Sequence, residues 1–585
     1  MHKYNLKILN FKERFWILLT KSVILYHKFI TIMMGNRIEI ICKNNGEKIS
    51  APLGVSLEEL LLLFRIENPK SILAALVNNK PMPLKSQIFA NKTVEFIDYS
   101  SNIGRNIYVR SVAFMLNKVL QDLFENTEFR IEHSVPSGYY CTIKSNGKNI
   151  ASEQLETLLC EAQKMVEQDL TFEMLYHPKQ EVIEEFRKIG NNDAADLLSY
   201  SKFYYAHYYK LGDTIDYYHS LLAPSTSYLK LFDVSPIFNG FLLRVPKQAD
   251  ASTLEDIVPM DKIFEIFQEY IDWNKIVGLE DLPELNAINK EQRAALIKVT
   301  EALHEKKISK IAERIAENPK VKIILVSGPS SSGKTTFSKR LSVQLAACKL
   351  RPIALSLDNY YLTHDKTPLD EFGELDFESL YALDLPLFNE QLQAMLRGEE
   401  VQTPRFNFET EKRELGPKIK LNENDVLVIE GIHGLNPELT ASIPDEKKFK
   451  VYVSALTTLS LSPRNWLSTS DTRLLRRCIR DHKYRNYPAE KTIMRWPSVR
   501  RGESKWIFPY QENADEMFNS SLLYEISSIK KQAEPILTEV PQDSDAYPTA
   551  KRLLNLLQFF TPIPYNEVPN TSLLREFLGG SSFRY

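Results

Sequence analysis

The stretch Val321-Lys-Ile-Ile-Leu-Val-Ser327, followed at once by Gly328-Pro-Ser-Ser-Ser-Gly333-Lys334-Thr335, decides how this chain is read. The first part is a short, apolar run of the kind that forms a buried parallel strand. The second part fits G-x-x-x-x-G-K-[ST], the phosphate-binding loop, in the strand–loop–helix setting that the pattern requires. Its glycines let the backbone turn, so that successive N–H groups and the N-terminus of the next helix face phosphate oxygens. Lys334 then reaches the outer phosphates and the Thr335 hydroxyl can hold Mg²⁺. Gly328, Ser330, Ser331, Ser332, Gly333, Lys334, Thr335 and Thr336 are the expected nucleotide contacts, with ATP and Mg²⁺ as the expected cofactors.

Two further strands end in carboxylates. "PIALSLD" delivers Asp358 and "DVLVIE" delivers Glu430, both at the carboxyl ends of strands, where open α/β sheets bind ligands. Such placement suits a base and a metal partner; the plainer role is a loop carboxylate or a helix cap. A third feature is the helix from Asp471, which carries Arg473, Arg476, Arg477 and Arg480 and continues to Lys483 and Arg485. Spacings of three and four place most of these guanidinium groups along one face, where they repel one another unless an anion lies opposite. A transferring phosphoryl group is such an anion; a solvated face or a nucleic-acid patch is the alternative.

Around this segment, 585 residues with 43% hydrophobic and 25% charged content and a net charge of −2 exclude a disordered tail, a collagen-like repeat and a polybasic nucleic-acid coat. At roughly 100 to 200 residues per domain the length implies about three or four domains. Five cysteines, widely spaced and without a C-x-x-C pair, indicate neither a disulfide framework nor a structural zinc, so the chain reads as cytoplasmic. The apolar run Phe15 to Leu25 is interrupted by Lys21 and is too short to span a membrane. Met33 and Met34 precede the first convincing strand, so the first 32 residues are expected to be an upstream misreading of the start codon.

From Arg37 the pattern predicts a hairpin through the turn Asn44-Asn45-Gly46, then a helix capped by Ser56 with Glu59, then strands at Ala74 to Val77 and Val94 to Ile97. This ββαββ order resembles the TGS domain, a ubiquitin-like β-grasp module of threonyl-tRNA synthetases and translation GTPases. "RIEHSVPSGYYC" (Arg130 to Cys141) and the charged helix Glu181 to Lys188 resemble the second additional domain of the same synthetases. There the opening helix carries a His-x-x-x-His pair used in editing, whereas this chain has Arg110 and Phe114, side chains that neither ligate a metal nor relay protons near neutrality. Editing is not expected. His133, His207 and His219 are read as surface or core-edge histidines rather than ligands. These two resemblances imply RNA or ribosome contact as a partner function, and self-association is left open.

"GPSSSGKTT", "LDNYY", "ELDFESLYALD", "TPRFNFETEKRE", "VIEGIHGLNP" and "TRLLRRCIRD" together resemble the uridine kinase and phosphoribulokinase family of P-loop kinases, over roughly residues 308–528. The resemblance implies ATP-dependent phosphorylation of the 5′-hydroxyl of a nucleoside, uridine or cytidine first, with another small hydroxyl compound or an RNA-stimulated ATP-binding regulator as rivals. It makes Asp358 the acceptor base, Tyr361 and Asp376 substrate contacts, and Glu430 with Thr335 the Mg²⁺ site. Arg480 and Arg485 become lid arginines on the phosphates, and Arg477 lies near the acceptor; Lys334, Arg477 and Arg480 join Asp358 as the catalytic set. Departures cluster where a base would be read. Phe406 replaces a tyrosine, Glu411 a histidine, Tyr487 an arginine and Arg495 a glutamine. A site loses discrimination when its donors change, so transfer to a small alcohol is better supported than transfer to uridine. His364 and His433 lie in site-adjacent loops and are read as structural.

The expected fold is multidomain. It comprises an N-terminal extension (1–33), a β-grasp α+β domain (35–99), a middle α+β synthetase-like domain (104–250) and a helical connector (254–307). An α/β P-loop kinase domain with a parallel sheet (308–530) and a helical C-terminal tail (531–585), whose final short helix is stopped by Gly579-Gly580, complete it.

Overall fold

The computed structural model describes residues 37–407, 410 and 412–584. The proposed start at Met33 or Met34 and the side chain of Glu411 lie outside the described residues. Among the described residues no helix is long and apolar enough to cross a membrane.

Arg37–Cys42 alternates exposed and buried residues along its length, so one face enters a core and the other meets solvent. It pairs antiparallel with Lys48–Pro52 and parallel with Lys92–Ile97, which in turn pairs with Ala74–Val77. A fifth strand, Lys80–Met82, closes the sheet, and Val55–Ser56 pairs separately with Gln87–Ile88. Both additions exceed the expected ββαββ. The helix Leu57–Leu63 begins as anticipated: the Glu59 N–H donates to Ser56 Oγ (3.1 Å) and the Ser56 N–H donates to Glu59 Oε2 (2.8 Å).

In the second module the helix Asn102–Leu123 is buried along most of its length, because sheets and helices cover it on several sides. The expected charged helix is Lys179–Lys188. Arg110 and Phe114 both point into protein, and the Arg110 guanidinium lies 4.8 Å over the ring of Trp466, a residue contributed by the C-terminal half. His133 corrects the expectation of a core-edge histidine: it is 3% exposed and stacks on Phe267 at 3.6 Å. Among the described residues no group of three His, Cys, Asp or Glu is arranged to hold a metal.

The quoted apolar run forms β1 (Ile323–Ser327), buried throughout. With β2 (Arg351–Ser356), β3 (Asp425–Glu430), β4 (Lys448–Ser454) and β5 (Glu516–Asn519) it makes an all-parallel sheet in the order β2-β3-β1-β4-β5. Strand periodicity sorts the core into two layers. Ile324 and Val326 pack with Phe337 and Leu341 of the helix Lys334–Ala347, while Ile323 and Leu325 pack with Phe388 and Leu392 on the other face. Each such side chain contributes roughly 1.5–3 kcal/mol by leaving water. The helix Lys290–Ala316 runs unbroken through the expected boundary at 307 and 308, and its Ile308, Ile311 and Ile315 belong to the first of these layers. The C-terminal segment is equally embedded. Leu573 joins the same layer, and the helix Arg575–Leu578 ends at Gly579 and Gly580, both at positive φ.

Among the described residues, His133, His304 and His433 are buried and neutral. Burial holds His133, His304 and His433 down to about 3, against 6.5 for a solvated imidazole. Their folded values lie below their unfolded ones, so their stabilisation is whole above pH 6.5 and is lost as pH falls toward 3. Each loses about 1.4 kcal/mol per pH unit in that window. Urea titrations between pH 6.5 and 4.5 are expected to show a shallower loss for His133→Phe than for the parent protein, by about that amount per unit; equal slopes contradict the argument.

Candidate functional site

The phosphate loop leaves β1 at Gly328, where a side chain is sterically excluded: a Cβ there would lie 1.9 Å from Val453 O, and φ is +152°. Gly333 (φ +86°) caps the following helix, and Ser331 is left-handed at φ +58°. This conformation is fixed from behind. Arg473 Nε donates to Ser330 O (3.0 Å), Arg476 Nη1 to Ser331 O (3.4 Å), and Ser520 Oγ to Ser332 O. Three successive carbonyls are thus engaged by one flank of the loop, while the Ser331 and Ser332 hydroxyls are buried without a partner. Such orphaned donors fit an anion in the loop.

The two arginines that hold the loop correct one expectation. Arg473 and Arg476 are fully buried, and the anions opposite them belong to the protein: Arg473 pairs with Glu503, and Arg476 with Glu525, its Nη2 lying 2.7 Å from Oε2. Glu503 also accepts the Ser330 N–H (3.2 Å) and pairs with Arg500. Burial pushes its carboxyl up, but Arg473 and Arg500 outweigh this and hold it below the usual range. Arg477, Arg480 and Arg485 face differently. All three converge on Asp481, at 3.3, 2.9 and 3.5 Å, and Arg477 Nη1 also donates to Ser330 Oγ (2.8 Å).

Lys334 is buried, with its Nζ on Pro329 O at 3.1 Å; burial lowers its pKa while Glu430 and Asp358 oppose the shift. Asp358 occupies the turn Leu357–Tyr360 directly after β2. Enclosure by the cleft raises its pKa, against the pull of Lys334, Arg485 and Arg480. Glu430 ends β3 and is pushed up to about 7, chiefly by burial, and Thr335 Oγ1 donates to it at 3.4 Å. The hydroxyl of Thr336 is turned elsewhere. It donates to Glu576 Oε2 (2.7 Å), so the residue can offer a ligand only its first-turn backbone N–H.

On the far side of Asp358, the Tyr361 hydroxyl donates to Phe377 O (3.2 Å), and its ring meets that of Phe406 edge-on at 6.0 Å. Asp376 Oδ1 accepts the Glu378 N–H (3.1 Å), which holds the turn between them. Arg495 lies 5.2 Å over Phe377, and Lys491 lies 3.9 Å over Tyr487, so neither departure residue is idle. His433 is buried and neutral, and His364 packs on Phe377. Residues 330–335, 358, 361, 376, 430, 477, 480 and 485 therefore belong to one cleft at the carboxyl ends of the strands. Sequence reasoning missed Asp481, Glu503, Glu378 and Glu576. Asp481 carried a signal, lying four residues after Arg477, and Glu378 lies two residues after Asp376; Glu503 and Glu576 arrive from helices distant in sequence.

Removing one partner of a buried ion pair leaves the other charge stranded. Glu503→Ala is expected to cost about 3–5 kcal/mol in urea unfolding. Glu503→Leu with Arg473→Met should recover most of that stability yet still bind ATP more weakly by calorimetry, because the Ser330 carbonyl and N–H are both released. Recovery of stability and affinity together contradicts the clamp.

Residues 323–526 match the model of the Phosphoribulokinase / Uridine kinase family. The uridine kinase of Borrelia duttonii (strain Ly) is 29% identical over 217 residues, spanning 36% of this chain and 95% of that protein. The uridine kinase of Ureaplasma parvum serovar 3 is 25% identical over 194 residues, spanning 33% and 85%. Among solved structures, D-glycerate 3-kinase from Cryptococcus neoformans aligns over 39% of this chain and 89% of its own, at 15% identity and a TM-score of 0.25. With the loop, the parallel sheet and the enclosed carboxylates in place, the C-terminal half of this chain is a P-loop phosphotransferase that acts on a hydroxyl acceptor.

Proposed function

We propose that the chain is an ATP- and Mg²⁺-dependent kinase that phosphorylates the 5′-hydroxyl of a nucleoside, with uridine or cytidine as the first candidates. The observation that carries this reading is Asp358, enclosed at the end of β2 within the electrostatic reach of Lys334, Arg480 and Arg485. A carboxylate raised by enclosure is a better proton acceptor, and the three cations oppose that rise. Asp358 takes the hydroxyl proton as the new oxygen–phosphorus bond forms and the bond from the γ-phosphorus to the β,γ-bridging oxygen breaks, with ADP as the leaving group. The loop N–H groups, Lys334, Arg480 and Arg485 hold the charge that spreads over the phosphoryl oxygens, so catalysis is positioning and neutralisation rather than covalent chemistry.

Glu430 and Thr335 supply the oxygen pair for Mg²⁺. A buried carboxylate at a strand end, met by the Thr335 hydroxyl and lying within electrostatic reach of Lys334, suits a hard divalent cation. When bound, that cation neutralises charge on the phosphates. A second reading, a sugar phosphate or polyol as acceptor, is favoured by Phe406, which presents a bare ring to Tyr361 where a base-reading hydroxyl is expected.

The test is product identification by mass spectrometry with ATP, Mg²⁺ and a panel of nucleosides, sugar phosphates and polyols. A nucleoside 5′-monophosphate is expected with the parent protein and at least a hundredfold less with Asp358→Asn, in line with loss of a general base. Phosphorylated polyols without nucleotides would move the assignment to the second reading, and ADP without any phosphorylated product would refute both.

A further inference from the structure

One carboxylate in the cleft has no part in the loop clamp or in the proposed transfer. Glu378 sits in the turn that begins at Asp376, and that turn is pinned from several directions. The Asp376 N–H donates to Pro368 O (2.8 Å), the Tyr361 hydroxyl holds Phe377 O, and the Glu378 N–H is fixed on Asp376 Oδ1. The helix Ala489–Trp506 closes the remaining side: a Cβ at Gly502 would fall 2.2 Å from Glu378 Cβ, so only glycine lets the helix approach this closely. The placement is firm, yet Glu378 Oε2 is buried without a hydrogen-bond partner.

A structural carboxylate placed so firmly would have acquired a donor, since a buried unsatisfied acceptor costs about 1–3 kcal/mol, and more if charged. The groups facing it are Arg477 from the arginine helix, Glu503 from the helix behind, Lys334 from the loop and Asp376 from its own turn. They mark a position between the phosphate loop and the Asp376–Tyr361 side of the cleft. Burial moves the carboxyl up to about 7, with Arg477 drawing it back, so the group keeps hydrogen-bonding capacity unspent near neutrality.

We propose that Glu378 is a specificity-determining residue of the acceptor site, whose free Oε2 accepts a hydrogen bond from a second hydroxyl of the acceptor, so that the pocket selects a polyhydroxy compound over a simple alcohol. This inference rests on reading the Asp358 side of the cleft as the acceptor site. It adds to the expected role of Asp376, because the two carboxylates would engage different hydroxyls.

The experiment uses the full chain with ATP and Mg²⁺ and compares kcat/KM for uridine, 2′-deoxyuridine and 3′-deoxyuridine, or for glycerol, 1,2-propanediol and 1-propanol if polyols are the acceptors turned over. The parent protein is expected to lose about tenfold or more on removal of one hydroxyl, as for a hydrogen bond to a charged group. In Glu378→Met, which fills the same space without an acceptor atom, that discrimination should shrink to within about twofold. The change should fall on the acceptor KM, with the ATP KM little altered and the thermal midpoint unchanged or raised, since the Met variant removes the unsatisfied acceptor. Glu378→Gln keeps a weaker, neutral acceptor and should give an intermediate loss; it carries the test if the Met variant does not fold. Unchanged discrimination in the variants, or an equal shift in the ATP KM together with a lowered thermal midpoint, overturns the inference and leaves the kinase reading intact. A parent protein that phosphorylates no hydroxyl compound overturns both.

Discussion

The site depends on two buried ion pairs that hold the phosphate loop open. A P-loop must turn its N–H groups inward, and it can do so only if its carbonyls find donors on the outside. Arg473 with Glu503 and Arg476 with Glu525 supply most of those donors, and Ser520 supplies another. Each arginine is charged, fully buried and neutralised by a carboxylate from a different helix, so the loop geometry is tied to the packing of the helices Ala489–Trp506 and Glu525–Thr538. Ion pairs of this kind add little net stability compared with apolar packing. Their value here is conformational: they select one arrangement of the loop among those that its glycines permit.

Charge along the arginine helix therefore divides by depth. Positions 473 and 476 face the interior and are structural, while 477, 480 and 485 gather on Asp481 at the edge of the cleft. Asp481 keeps three like charges close together before a ligand is present. Burial would raise its carboxyl, but Arg480, Arg477 and Arg485 hold it low, so it stays ionised and the cluster stays assembled.

Local pattern was enough wherever one segment defines its own environment. The loop, the strand ends carrying Asp358 and Glu430, the Ser56 and Glu59 cap and the alternation in Arg37–Cys42 were all legible, because strand period and capping act within a few residues. Where partners come from afar, pattern was silent. Nothing near Arg473 announces Glu503, thirty positions away on another helix, and nothing near Thr336 announces Glu576. The middle module shows the same limit. His133 reads as a surface or core-edge residue because no second ligand stands at helical spacing from it, yet Phe267 of the connector covers it. Trp466 belongs to the core of that module although it is encoded in the C-terminal half, just ahead of the arginine helix. There, Arg110 donates to His219, whose other ring nitrogen meets Asn465 at 3.1 Å, and Asn465 in turn donates to Tyr217 O (2.8 Å). The front modules and the arginine helix are thereby packed as neighbours rather than strung on a tether.

The contact between Thr336 and Glu576 also sets an order of events during synthesis. These residues are 240 positions apart, and Leu573 beside them is part of the core beneath the sheet. At about 5–20 residues per second, the nascent chain carries a phosphate loop for on the order of 10–50 seconds before the residue that secures the first turn of its helix is made. Through that interval the growing polypeptide holds a nucleotide-binding motif without one wall of its support. Completion of the fold is deferred until translation has passed the segment around Glu576.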